Sequence, residues 1–96
     1  MAKFTFITDL RQRHLEKWLT EMEGERPDII ENVKTIPDIV FNGVAIRSAI
    51  KAGWFGDVLV AGEVETLVGD LSFAEAKRLG NEVWSAYKAA TTIDPN

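Results

Sequence analysis

No cysteine occurs among the 96 residues. That excludes disulfides, thiolate nucleophiles and cysteine-ligated zinc, and it removes the usual mark of a small secreted scaffold. Histidine is nearly absent too, with His14 alone, so a base paired with a nucleophile has few places to come from. No run approaches the about 18 apolar residues of a membrane span. The start, Met1-Ala2-Lys3-Phe4, lacks the apolar stretch of a signal peptide, and no Asn-x-Ser/Thr acceptor is present. Basic charge is in deficit: 11 Lys and Arg stand against 15 Asp and Glu, a net charge of −4. Phosphate binding leans on the opposite balance, which argues against a nucleic-acid protein. These absences point to a cytoplasmic protein without a membrane segment or a cofactor.

What is present is ordinary globular material: 46% hydrophobic and 27% charged residues, well away from disorder. A chain of this length forms one domain, here residues 1–96, and buries between about 60% and 70% of its unfolded surface. Hydrophobic spacing predicts a mainly α fold, a small helical bundle with a short extended or β N-terminal arm and a minor strand pairing. The arm is Lys3 to Thr8, where Phe4 and Phe6 alternate with polar positions. Three helices are expected, over about 9–23, 43–53 and 73–90.

The first carries Leu10, Leu15, Trp18, Leu19 and Met22 on one half of its surface. Thr8 or Asp9 is expected to cap it, with Asp9–Arg13 and Lys17–Glu21 as i,i+4 pairs and Gly24 as the stop. Pro27 to Lys34 reads as a short helix, and the β-branched run Ile36 to Phe41 as a strand. Asn42 is the expected cap of the second helix. Its stripe is Ala45, Ile46, Ala49 and Ile50, with Arg47, Ser48 and Lys51 outward; Gly53 ends it, and Trp54-Phe55 follow where a C-terminal motif places an apolar contact. Val58 to Val60 reads as a short strand, Gly62 to Val68 as a turn or brief helix, and Thr91 to Asn96 as a frayed or extended end. Ser72-Phe73-Ala74-Glu75 forms a capping box. It opens a helix whose broad face includes Ala76, Leu79, Gly80, Val83, Ala86 and Tyr87, with Trp84 at its margin. Gly80 there costs about 1 kcal/mol in propensity, to be offset by close approach of another helix.

Chemistry is scarce. His14 reads as a partly buried edge residue and Ser72 as a cap, and neither Ser48 nor Ser72 lies in a Gly-x-Ser-x-Gly turn. The isolated glycines make no phosphate loop. Asp57, Glu63, Glu65, Asp70 and Glu75 are five acids between Ala52 and Ala76 without a Lys or Arg, but not at calcium-loop spacing. They read as a solvated acidic face. A loose helix-turn-helix resemblance around Ala45 to Val58 fails, because the stretch after the turn is apolar and acidic where base-reading side chains belong. The chain is therefore expected to be non-enzymatic, with no catalytic, cofactor-binding or metal-ligating residues.

Two features exceed what folding demands. Three Trp occur in 96 residues, and Trp is both a core filler and an interface anchor. Either all three close a small core, or Trp54, Phe55 and Trp84 contact a partner; Trp54 and Phe55 are the expected contact pair. Charge is also segregated, with Arg11, Arg13, His14 and Lys17 near the first helix start and acids over 52–76. Arg11 either pairs with an acid of the 57–70 stretch or meets a partner, and opposite patches on one chain can steer self-association.

The order of these features carries a resemblance. A Phe-rich start is followed by Val44-Ala45-Ile46-Arg47-Ser48-Ala49-Ile50-Lys51-Ala52-Gly53-Trp54 and an acidic turn. A capped helix with Leu79 and Tyr87 then leads to Thr91-Thr92-Ile93-Asp94-Pro95-Asn96. Over residues 42–96 this resembles the tail assembly chaperone-type small proteins of long-tailed bacteriophages. The resemblance implies a helical, non-enzymatic protein of the infected bacterial cytoplasm that keeps the apolar tape measure protein soluble and recruits tail-tube subunits. A structural tail or connector component, or a small acidic antitoxin-like regulator, are the other readings.

Overall fold

The computed structural model describes residues 4–56 and 63–91. Among them four helices follow in order: α1 (Gln12–Glu25), α2 (Asp38–Lys51), α3 (Val64–Gly69) and α4 (Phe73–Thr91). The result is a mainly helical bundle without a sheet among the described residues. The expected Val58–Val60 strand, Lys3 and the tail from Thr92 lie outside them.

α2 is the centre, packed by α1, α3 and α4. Its buried residues run round the helix: Phe41, Asn42, Val44, Ala45, Ile46, Ser48, Ala49 and Ile50. A helix covered on several sides needs no polar face, which corrects the expectation of one stripe with Ser48 outward. Ser48 is fully buried and its hydroxyl has no hydrogen-bond partner among the described residues. Of the other two expected outer residues, Lys51 is exposed and Arg47 sits at the edge, donating from Nε and Nη2 to Glu25 Oε1 at 3.0 and 2.8 Å, which ties the end of α1 to α2.

The run Ile36 to Phe41 is not a strand. Pro37 stands at the N-cap with φ −56° and ψ 140°, and its carbonyl accepts from Val40 and Phe41 N–H, both at 3.0 Å. Proline fixes φ near the value it has here, and an acid in the first turn suits the helix dipole. Pro37 and Asp38 thus start a helix despite the branched side chains of Ile39 and Val40, of which Ile39 is exposed. Asn42 is consequently an interior residue and no cap. Residues 27–34 form successive turns instead of a helix, because Asp28 adopts a positive φ of 63°, outside right-handed helical geometry. Asn32 closes these turns by donating from its side chain and backbone N–H to the Asp28 carbonyl, at 2.9 and 3.1 Å.

α1 begins three residues later than expected. Arg11 is its N-cap residue, and Asp9 pairs with Arg11 at 2.7 Å in place of Arg13. Lys17 and Glu21 pair as expected, at 3.4 Å. Gly24 lies inside the last turn, and Arg26 N–H closes the helix on the Met22 carbonyl at 2.9 Å.

The end of α2 follows the sequence closely. Gly53 has φ +80°, Gly53 N–H donates to Ile50 at 3.1 Å and Trp54 N–H to Ala49 at 3.0 Å. This paired pattern, with its left-handed glycine, is the Schellman motif. It turns Trp54 inward and aims the next residues at the N-terminal arm. Ile7 N–H donates to Trp54 O at 2.9 Å and Gly56 N–H to Thr5 O at 3.0 Å, making an isolated antiparallel bridge between Phe6 and Phe55.

Ser72 Oγ accepts from Glu75 N–H at 3.2 Å, opening α4. The return half of the box differs from expectation, since the Ser72 hydroxyl itself donates to Glu75 Oε1 at 3.3 Å. α4 packs on α2 at Gly80, where an added Cβ would fall 2.8 Å from Asn42 Cβ. The glycine is thus the close approach that its poor helix propensity requires.

Two substitutions test this packing by urea denaturation. Gly80→Ala gains propensity yet is expected to lose about 1–3 kcal/mol through overpacking against Asn42, with part of the loss recovered in the Asn42→Ala background. Ser48→Ala is expected to gain about 1 kcal/mol, because it removes a buried hydroxyl that bonds to nothing.

Candidate functional site

The aromatic residues assemble around Trp18, which is 0% exposed. Its ring lies 5.3 Å from Trp54, 6.4 Å from Trp84 and 4.8 Å from Tyr87 between centroids. Trp84 in turn stacks on Tyr87 at 5.5 Å and meets the edge of Phe41 at 5.4 Å. Buried indoles need acceptors for their N–H groups. Trp18 Nε1 donates to the Ala45 carbonyl at 3.1 Å and Trp54 Nε1 to the His14 carbonyl at 2.9 Å.

This geometry bears on both readings of the tryptophans. Trp54 is 0% and Phe55 6% exposed, so the expected contact pair offers no surface in this conformation. Trp54 fills the core, and Phe55 receives Phe4 and Phe6 at ring distances of 5.3 and 5.0 Å. Trp84 is half-buried, with Lys88 Nζ 5.9 Å from its ring centre. Arg11 is exposed and engaged locally with Asp9, so the structure does not bring the four residues together. His14 is structural: its Nδ1 accepts the Arg11 backbone N–H at 2.9 Å at the start of α1.

Two surface clefts lie elsewhere. The larger, about 360 Å³, runs between the N-terminal arm, α3 and the start of α4, lined by Phe4, Glu63, Thr66, Leu67, Asp70, Leu71 and Glu75. α3 and the residues just after it build the cleft because they carry more apolar residues than the core takes. Val64 and Val68 are buried, while Leu67 and Leu71, each three residues further on, are only half-buried. The second cleft, about 240 Å³, is lined by Leu19, Glu23, Asp28, Ile30, Glu31 and Tyr87. Among the described residues, every charged side chain lining either cleft is an acid.

Sequence reasoning placed the acids of the first cleft on a solvated face and missed its floor. The available signal was Leu67 and Leu71 at i,i+4, beside the Val64–Val68 pair of the same spacing. No group of three or more His, Asp or Glu side chains converges as metal ligands among the described residues. None of the described helices is long and apolar enough to cross a membrane. Comparison with protein-family models, curated proteins and solved structures gives no match for this chain.

Core and surface aromatics separate on substitution. Trp54→Ala is expected to lose about 3–5 kcal/mol, a large share of a typical stability of about 5–15 kcal/mol. Trp84→Ala, at the half-buried edge, is expected to lose about 1–2 kcal/mol. Thermal melts followed by circular dichroism distinguish the two, and equal losses would contradict the burial difference.

Proposed function

We propose that the chain is a non-catalytic binding module of the tail assembly chaperone kind, holding apolar helical segments of a client such as a tape measure protein. The observation that carries this reading is the cleft between Phe4, α3 and the start of α4. Its floor of Phe4, Leu67 and Leu71 is apolar and half-open, and grooves of this kind take the apolar face of an amphipathic helix. The cleft also lies on the α3 and arm side, whereas the tryptophans hold the bundle together. Client binding and folding are thereby carried by different residues.

Co-expression with a tape measure fragment tests the proposal. The fragment is expected to stay soluble with the native chain and to precipitate with Leu67→Lys, which places a charge in the cleft floor while leaving the buried core intact. Unchanged client solubility with that folded variant, or no solubilisation by the native chain, would refute it.

A further inference from the structure

The charge around the cleft specifies its occupant further, granted the docking reading above. Glu63, Asp70 and Glu75 line it together with Phe4, Thr66, Leu67 and Leu71. Glu63 and Asp70 make no ion pair among the described residues, and Glu75 is held only by the Ser72 hydroxyl. The second cleft repeats the composition with Glu23, Asp28 and Glu31. Among the described residues, six acids and no Lys or Arg therefore line the clefts.

An apolar segment settling on Leu67 and Leu71 would take water from these carboxylates. Desolvating an unpaired carboxylate is costly, and a neutral or acidic segment offers nothing in return. Lysine and arginine answer both halves of the surface, since their methylene stems cover apolar floor while their heads reach outward to acids. A surplus of one sign around a cleft also draws oppositely charged segments in from solution. We infer that the cleft selects an amphipathic segment whose apolar anchors are flanked by lysine or arginine.

The test uses the intact chain and three labelled helical peptides with the same apolar positions, flanked by Lys, Gln or Glu, read by fluorescence anisotropy. The Lys peptide is expected to bind about three- to tenfold tighter than the Gln peptide, as a few exposed ion pairs permit, and the Glu peptide weakest. The preference should fall away between about 0.02 M and about 0.5 M salt and in the variant E63Q/D70N/E75Q. Glutamine serves in a capping box, so that variant retains the start of α4; circular dichroism checks its fold.

Equal binding of the Lys and Gln peptides, both lost in Leu67→Lys, would overturn the charge inference and leave the docking reading standing. No binding of any peptide would remove both. If the chain instead self-associates, E63Q/D70N/E75Q and Arg13→Glu each disperse it in sedimentation, and the Lys peptide does not compete, the occupant is a second copy. That outcome also overturns the inference.

Discussion

The hydrogen bond from Trp18 Nε1 to the Ala45 carbonyl, 3.1 Å long and buried, is the contact on which the bundle depends. An indole N–H buried without an acceptor costs on the order of 1–3 kcal/mol, so this ring can enter the core only where a carbonyl is reachable. Helix carbonyls are normally screened by side chains; Ala45 is small enough for the ring to lie against α2. Once seated, Trp18 touches Trp54 beyond the end of α2 and Trp84 and Tyr87 on α4. One side chain of α1 thus fixes three other parts of the chain.

That arrangement explains why α2 has to be apolar nearly all round. α1 reaches it with Trp18, α4 with Leu79 and Val83 over the Asn42–Gly80 approach, and α3 through Val64 and Val68. Small residues at Ala45, Ala49 and Gly80 permit the close spacing, and Ser48 is a small residue retained there with an unpaired hydroxyl. A domain of this size buries a modest fraction of its surface, so it commits its largest aromatics to the interior. Leu67 of α3 and Leu71 just after it remain half-open.

Much of the fold was legible from local rules. The Ser72 start, the Gly53 stop and the alternating Phe4 and Phe6 each encode a backbone requirement in neighbouring residues, and the structure places helix, turn and arm accordingly. The differences have two kinds of cause, local backbone features at Asp28 and Pro37 and tertiary contacts that no local window contains. Ile36 to Phe41 has strand-like branching, yet Pro37 stands as the N-cap of α2 and its carbonyl takes up the first helical N–H groups, although Ile39 within the run is 65% exposed. Asn42 has the identity of a cap but packs against Gly80, a contact 38 positions away that no local window contains. Trp54 and Phe55 follow a helix end in the manner of an exposed anchor, but Trp54 is buried against Trp18 of α1 and Phe55 beneath Phe4 and Phe6 of the arm. The cleft was hidden because each of its acids is unremarkable alone; its floor exists only when Phe4 is brought beside Leu67 and Leu71.

Placing unpaired acids around an apolar cleft also serves the unbound protein. Exposed apolar floor invites self-association, and like charge along its rim opposes it: two copies meeting cleft to cleft would press Glu63, Asp70 and Glu75 against their own equivalents. The repulsion is largest where water is excluded, because charges interact more strongly as the local dielectric falls. A cationic segment reverses that sign while using the same apolar floor. The carboxylates therefore discriminate in both directions, raising the cost of the wrong apolar contact and lowering that of the complementary one. Specificity of this kind requires no buried polar network, which a bundle with so small an interior has little room to hold.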